Sequence, residues 1–125
     1  MKLLLDTHVL LWWLADDTRL RAEARNAISD PQNLVFVSAA TTWEIAIKTN
    51  LGKLTLPEGL EEQISKNEFM PLPITIAHTQ AIAQLPPIHQ DPFDRMLVAQ
   101  ALREEMTLIT HDQRITEYDV EILPA

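Results

Sequence analysis

The chain has 125 residues, 46% of them hydrophobic, which is enough for one domain with a substantial core. It has no cysteine and only two glycines, which excludes disulfides, thiolate zinc sites, cysteine nucleophiles and glycine-rich phosphate loops. The net charge of −8 excludes binding of nucleic acid through bulk positive charge, so a polyanionic substrate would need bound cations or a basic partner to reverse the local field.

The first half of the chain alternates short apolar runs with helical patterns. Residues 3–5 predict a buried strand, and residues 8–15 and 18–29 predict two helices. The run LVFVS at 34–38 predicts a second strand. A helix is then expected over 41–52, with Trp43, Ile47 and Leu51 on one face, and a weakly amphipathic one over 57–67.

The second half continues the alternation. The run FMPLPI at 69–74 predicts a strand that is short or at a sheet edge, because prolines interrupt it. A helix over 75–85 ends at Pro86, and a further helix over 91–105 has Asp91 as its N-cap and Pro92 at its first position. Residues 107–110 and 120–123 predict the last two strands.

This order of elements indicates an α/β fold. Strands that are apolar throughout and alternate with helices are typical of a parallel sheet covered on both faces. Right-handed crossovers then favour a three-layer α/β/α sandwich with a mainly parallel, doubly wound sheet. Because the sequence contains no repeat and no linker-like segment, we expect residues 1–125 to form a single domain.

No segment predicts a membrane protein. The longest uninterrupted apolar run, residues 9–15, is far shorter than the roughly 20 residues of a membrane-spanning helix. Asp6 and His8 interrupt any signal-peptide core. With the lack of cysteine, these features favour a cytoplasmic protein.

Four acidic residues map to one edge of the predicted sheet. Asp6 follows the first strand, Glu44 is in the first turn of the helix after the second, Asp94 is in the first turn of the 91–105 helix, and Asp112 follows the strand 107–110. In open α/β sheets, ligands bind beyond the carboxyl ends of the strands. Taken alone, each acid also has a structural interpretation: Asp6 as an N-cap, Glu44 in a capping box with Thr41 or in a pair with Lys48, Asp94 as a helix-dipole partner, and Asp112 as a turn residue.

Their convergence favours a metal site. Two carboxylates about 4 Å apart repel by about 4 kcal/mol at an effective dielectric constant near 20, so a cluster must bind protons or cations. Oxygen ligands without cysteine suit Mg²⁺ or Mn²⁺, which support in-line displacement at phosphorus.

Four segments in order, LLLDTHVLLW, VSAATTWEIAIK, DPFDRMLVAQA and LITHD, resemble the PIN-domain ribonucleases and most closely the VapC-like toxins of bacterial toxin–antitoxin pairs. The resemblance covers nearly the whole chain. It implies a Mg²⁺-dependent endoribonuclease that acts on RNA, forms a homodimer and is inhibited by a cognate antitoxin. It assigns Asp6, Glu44, Asp94 and Asp112 to the catalytic and metal-binding positions, of which the last varies most in such proteins.

Polar residues beside the four acids are further candidates. Thr7, Ser38 and Thr110 are expected either to hydrogen-bond the carboxylates or to act as helix caps. Arg95 and Lys48 would hold RNA phosphate or, as we favour, neutralise a carboxylate. His8 and His111 are candidate phosphate contacts. His78 is expected to be packed, and Trp12, Trp13 and Trp43 to lie in the core or an interface.

Other functions remain open at this stage. A phosphoaspartyl phosphatase would want a second Asp where His8 stands, and a receiver domain a lysine after the strand 107–110, so both fit poorly. A non-catalytic PIN-like module that binds RNA or protein is the main alternative. The acidic surface predicts that an inhibitory partner would bring a basic segment to the acid cluster.

Overall fold

The computed structural model describes residues 1–125. Its centre is a five-stranded, entirely parallel sheet in the order β3-β2-β1-β4-β5. The strands are β1 (Lys2–Leu5), β2 (Leu34–Ser38), β3 (Met70–Leu72), β4 (Thr107–Thr110) and β5 (Ile122–Pro124). The expected α/β class and doubly wound topology are confirmed, and β3 lies at an edge as its prolines predicted.

Six α-helices cover the two faces of the sheet, with a short 3-10 turn at Ile115–Glu117. They are α1 (Thr7–Leu14), α2 (Ala22–Ser29), α3 (Ala39–Asn50), α4 (Leu60–Lys66), α5 (Ile76–Ile82) and α6 (Pro92–Glu104). Helices α1, α2 and α4 pack on one face and α5 and α6 on the other, while α3 contributes Ile45 to the first face and Ala40 to the second.

The apolar strands explain this sandwich. In β1, Leu3 and Leu5 enter one core and Leu4 enters the other, and none of the three is exposed. Successive side chains of a strand point to opposite faces, so a strand without alternation needs helices on both sides.

Three helix starts differ by two or more residues from the sequence expectation. Helix α4 begins at Leu60 rather than at residue 57, after Gly59 in the left-handed conformation. Helix α2 begins at Ala22 rather than at residue 18, because Asp17 binds the backbone N–H of Arg19 and holds 17–20 as a turn. Helix α3 begins at Ala39, where Ser38 is the N-cap and accepts from the N–H of Ala40. Glu44 therefore lies in the second turn of α3, and the capping box at Thr41 was wrong.

The outer face of α3 is also informative. Trp43 and Leu51 share one stripe of the helix but are 57% and 63% exposed. The buried face carries Ala40, Thr41, Glu44 and Ile45 instead. The stripe that was expected from the spacing of apolar residues thus faces away from the core.

The topology places a switch point between β1 and β4. From β1 the chain proceeds to β2 and β3 on one side, and β4 and β5 lie on the other. Asp6 directly follows β1 and Asp112 follows β4, so both stand where parallel sheets bind ligands. None of the helices combines the length and hydropathy needed to cross a bilayer.

Candidate active site at the carboxyl edge of the sheet

A cavity of about 580 Å³ opens at this edge, and Asp6, Glu44, Asp94 and Asp112 all line it. The structure therefore brings together the four acids that the sequence analysis singled out. The other side chains that line it are mostly polar: Thr7, His8, Trp12, Arg19, Lys48, His89, Asp91, His111 and Gln113.

Asp6 is fixed by the end of β1 and the start of α1. It is the N-cap of α1, accepting from the N–H of Val9 at 2.9 Å on one oxygen and from the Thr110 hydroxyl on the other. Burial raises the pKa of Asp6, and the bonds from Thr110 and Val9 act against that rise. A carboxylate between two apolar runs is tolerated here because both of its oxygens have donors.

Glu44 is held in the same way from α3. It is 3% exposed, its Oε1 accepts from the Thr7 hydroxyl at 2.6 Å, and its Oε2 pairs with Lys48 one turn later. The pairing with Glu44 raises the pKa of Lys48. Lys48 thus neutralises a carboxylate, as the sequence interpretation favoured.

Asp94 lies in the first turn of α6 with few partners. Asp91 caps this helix by accepting from the N–H groups of Phe93 and Asp94, which leaves the side chain of Asp94 free of backbone donors. Burial raises the pKa of Asp94 to about 7, and the charges of Asp91, Glu44 and Asp112 add to the rise. Asp94 is thus the acid whose pKa the charges of the neighbouring carboxylates raise.

Asp112 follows β4 and is the more exposed partner of Asp94. Burial raises its pKa, but the N–H of Arg114 and the side chain of His89 outweigh burial and lower it below the usual range. The N–H of Asp112 in turn donates to the Thr110 hydroxyl at 3.0 Å, so Thr110 connects Asp112 to Asp6.

His89 is a site residue that the sequence analysis missed. It is buried, its Nε2 lies 2.9 Å from Asp94 Oδ2 and 3.2 Å from Asp112 Oδ2, and these three groups are close enough to hold a metal ion. Its position two residues before the helix N-cap, in a short loop after two prolines, was the signal that could have found it.

Two expected neighbours of the acids bond elsewhere. Ser38 donates to Gln100 Oε1 at 2.6 Å besides capping α3, because β2 ends against α6. Arg95 points away from the cavity and donates to the carbonyls of Ile82 and Pro86 and to the Tyr118 hydroxyl. Ser38 thus has the helix-cap role that was one of its two expected roles, whereas the expected role of Arg95 beside the carboxylates was wrong.

The opposite wall of the cavity is built on Trp12. The Arg19 guanidinium lies 5.3 Å from the indole centroid, and the His111 ring meets the indole edge-on, also at 5.3 Å. Arg19 is paired with Asp17, so this wall adds little free positive charge. His78 is packed away from the cavity, where it forms a capping box with Thr75.

The donor set fits a hard divalent cation. Four carboxylates line one cavity with no thiolate and with Lys48 paired to one of them, and ligand atoms of Asp94, Asp112 and His89 lie within 4.8 Å of one another. Burial, followed by the charges of Asp91 and Glu44, raises the pKa of Asp94 toward neutrality, and a bound cation would favour its carboxylate form. A Mg²⁺-like ion is the counter-charge that such ligands prefer.

Comparison with known proteins identifies the class. Residues 3–121 match the PIN domain, so the chain belongs to the PIN-domain family. Ribonuclease VapC22 of Mycobacterium tuberculosis is 30% identical over 122 residues, which covers 92% of this chain and 90% of that protein. The expected resemblance to VapC-type PIN domains is confirmed.

Solved structures show the same fold. A VapBC2 structure from Rickettsia felis, bound to promoter DNA, aligns with a TM-score of 0.73 at 13% identity and covers 100% of this chain and 99% of the other. A DNA-bound VapBC from Salmonella typhimurium aligns with a TM-score of 0.70 at 15% identity, covering 99% and 98%. At these identities the likeness establishes the fold alone.

Proposed function

We propose that the protein is a Mg²⁺-dependent endoribonuclease, with Mn²⁺ as an alternative ion, and the toxin of a toxin–antitoxin pair. Residues 1–125 would act as one nuclease domain in the cytoplasm. The observation that carries the proposal is the convergence of Asp6, Glu44, Asp94 and Asp112 on one cavity. Membership in the PIN-domain family and similarity to a protein named as a ribonuclease support it.

The four acids would hold the cation, with Asp112 as the outermost. A bound divalent ion would lower the pKa of the attacking water and offset the charge that develops on the phosphodiester. It would also let RNA approach a chain of net charge −8, whose acids would otherwise repel a phosphate.

The chain's own side chains would prepare the site. Thr110 and Val9 orient Asp6, and Thr7 and Lys48 orient Glu44, so these two carboxylates need little rearrangement. With a pKa of about 7, Asp94 carries a proton in about half of the molecules at neutral pH. Cation binding would displace that proton, because ligation requires the carboxylate.

The direct test is cleavage of total RNA by the wild type and by Asp6→Asn, each with Mg²⁺ and with EDTA. We expect cleavage only by the wild type with Mg²⁺. Asp119→Asn is the matched control, since Asp119 is exposed and remote from the cavity. Equal cleavage by wild type and Asp6→Asn would contradict the role of Asp6. A chain that binds RNA or protein without metal-dependent cleavage would instead be a binding module.

We also propose a cognate antitoxin whose basic segment enters the acidic cavity in place of the metal. The net charge of −8 and the structural likeness to a member of the VapBC family of toxin–antitoxin systems from Mycobacterium tuberculosis support this. Co-purification of the two proteins at low salt and release at high salt is the expected result. An antitoxin that stays bound equally well at low and high salt would contradict electrostatic binding of its basic segment in the cavity.

A homodimer is the oligomeric state that we propose. The exposed Trp43 and Leu51 on α3 offer apolar surface that a second copy would cover. Light scattering at micromolar concentration should give twice the monomer mass. A Trp43→Ser, Leu51→Ser variant that still gives that mass would remove α3 from the interface.

A further inference from the structure

The geometry assigns His89 as a positioning residue that holds Asp94 and Asp112 together by donating from Nε2, and not as a metal ligand. This inference rests on the proposed function, since it concerns the same acids. It adds a nitrogen donor to a cluster that the sequence analysis treated as carboxylates alone.

The distances by themselves allow either role. Nε2 lies 2.9 Å from Asp94 Oδ2 and 3.2 Å from Asp112 Oδ2. Neighbouring ligand atoms around an octahedral ion with bonds of about 2.1 Å are also about 3.0 Å apart. The position of the ring proton therefore decides between the two roles.

The backbone fixes that proton. The N–H of Asp91 points at His89 Nδ1 at a distance of 3.3 Å, so Nδ1 must accept and cannot carry a hydrogen. A neutral imidazole whose Nδ1 accepts has its hydrogen on Nε2. That hydrogen is directed at Asp112, with Asp94 beside it, and no lone pair is left on Nε2 for a cation.

A second layer keeps the ring in place. The N–H of His89 donates to the Tyr118 hydroxyl at 2.9 Å, and Arg95 donates to the His89 carbonyl at 3.4 Å. Arg95 also donates to the Tyr118 hydroxyl at 3.2 Å, which closes the arrangement. Arg95 and Tyr118 thus hold the backbone of His89 in place, although neither of them lines the cavity.

The consequence is that one imidazole N–H sets the spacing between two acids from outside the cation position. Asp94 Oδ1 has no protein donor, and it remains free to face a cation. Partners that orient ligands in this way typically change metal affinity by about 10–100-fold when they are removed.

The first test reads the tautomer directly. In full-length protein labelled with ¹⁵N-histidine, long-range ¹H–¹⁵N spectra should show His89 protonated on Nε2, both without metal and with saturating Mg²⁺. The signals are assigned by their loss in His89→Gln. Protonation on Nδ1 in either state would overturn the proposal. Because no RNA is involved, this result stands apart from whether the protein is a nuclease.

The second test separates the two ring nitrogens by substitution. Glutamine places an amide N–H near the Nε2 position, whereas the shorter asparagine places its amide near Nδ1, where the oxygen can accept from Asp91, and does not reach the Nε2 position. We expect His89→Asn to weaken Mg²⁺ binding in calorimetry about 10–100-fold, and His89→Gln to recover at least half of that loss on a logarithmic scale. Gln90→Asn is the control, because Gln90 lies in the same loop as His89 but is exposed and does not line the cavity.

Pulsed electron paramagnetic resonance on the Mn²⁺-loaded protein completes the test. We expect no nitrogen coupling that disappears in His89→Gln. Such a coupling, or an Asn variant that binds Mg²⁺ like wild type, would contradict the assignment. If wild type binds Mg²⁺ with the expected tautomer but does not cleave RNA, the proposed nuclease fails and the role of His89 stands.

Discussion

The cavity has two sides that hold their acids in different ways. Asp6 and Glu44 are 5% and 3% exposed, and every carboxylate oxygen of the two has a protein donor. Asp94 and Asp112 have side chains that are 18% and 36% exposed, and each has an oxygen within 3.2 Å of His89 Nε2. On the inner side every carboxylate oxygen has a donor, whereas on the outer side Asp94 has few partners.

This difference separates two demands on a cation site. Buried carboxylates need donors to remain in the fold, since an unpaired buried charge is costly. A cation in turn needs negative charge that the protein has not already neutralised. The inner pair meets the first demand and Asp94, whose pKa is raised to about 7, meets the second.

The largest expected effect comes from breaking the inner side. Glu44→Gln should reduce RNA cleavage about 1000-fold, equivalent to several kcal/mol of transition-state stabilisation, because a fixed ligand is lost. Asp112→Asn should cost only about 10–100-fold, since the outer acid is more exposed. Initial cleavage rates at saturating Mg²⁺ measure both. A larger loss in Asp112→Asn would reverse the order of the two sides.

The next effect concerns stability, with a sign set by the pKa of Asp94. The folded protein keeps this proton up to about pH 7, whereas an unfolded Asp releases it near 3.8, so folding loses stability as pH rises between these values. Without metal, the free energy of unfolding of Asp94→Asn should exceed that of the wild type by about 1–3 kcal/mol at pH 8. Near pH 4 the two values should be equal.

Urea unfolding in EDTA at both pH values measures this. Adding Mg²⁺ should reduce the difference in free energy of unfolding between the two proteins at pH 8, because the cation stabilises the wild type, which keeps the Asp94 ligand, more than the variant. Equal stabilities of the two proteins at pH 8 would show that Asp94 is not under repulsion.

A smaller effect is expected from the inner donors. Thr110→Val keeps the side-chain shape but removes the hydroxyl that serves both Asp6 and Asp112. The free energy of unfolding should fall by about 1–2 kcal/mol and the Mg²⁺ affinity about tenfold. Thr116→Val is the control, because Thr116 is exposed and donates only to a nearby carbonyl. A variant that keeps full metal affinity would remove Thr110 from the site.

The smallest effect sharpens the outer side. Tyr118→Phe removes the acceptor for the buried N–H of His89 and should cost about 1 kcal/mol of stability. Mg²⁺ affinity should fall only a few-fold, because the imidazole keeps its contact with Asp91. Calorimetry and thermal unfolding measure the two quantities. A loss of affinity as large as that of His89→Asn would assign the control of the site to Tyr118 instead.

The fold and the position of the four acids could be predicted from the sequence for physical reasons. Strands that are apolar on both faces require a covered parallel sheet, and parallel strands place whatever follows them at one edge. Asp6 directly follows β1 and Asp112 lies two residues after β4, so their placement at one edge could be inferred without tertiary information.

What depends on a single side-chain direction was not accessible. Arg95 follows Asp94 in the chain, but successive side chains on a helix point about 100° apart. The Arg95 guanidinium therefore points away from the cavity and donates to the Tyr118 hydroxyl. His89 lies in an irregular loop, where no periodicity indicates direction. The start of α3 moved by two residues because Ser38, Thr41 and Thr42 are all acceptable caps.

We propose that Asp6, Glu44, Asp94 and Asp112 jointly hold one divalent cation. A crystal soaked in millimolar Mn²⁺, with data collected at the manganese absorption edge, tests it most directly. We expect an anomalous peak in the cavity, about 2.1–2.2 Å from oxygens of at least three of the four carboxylates. A cavity without an anomalous peak, in a crystal that shows Mn²⁺ bound at other sites, would contradict this proposal. A peak bound by the Nε2 of His89 would also contradict it.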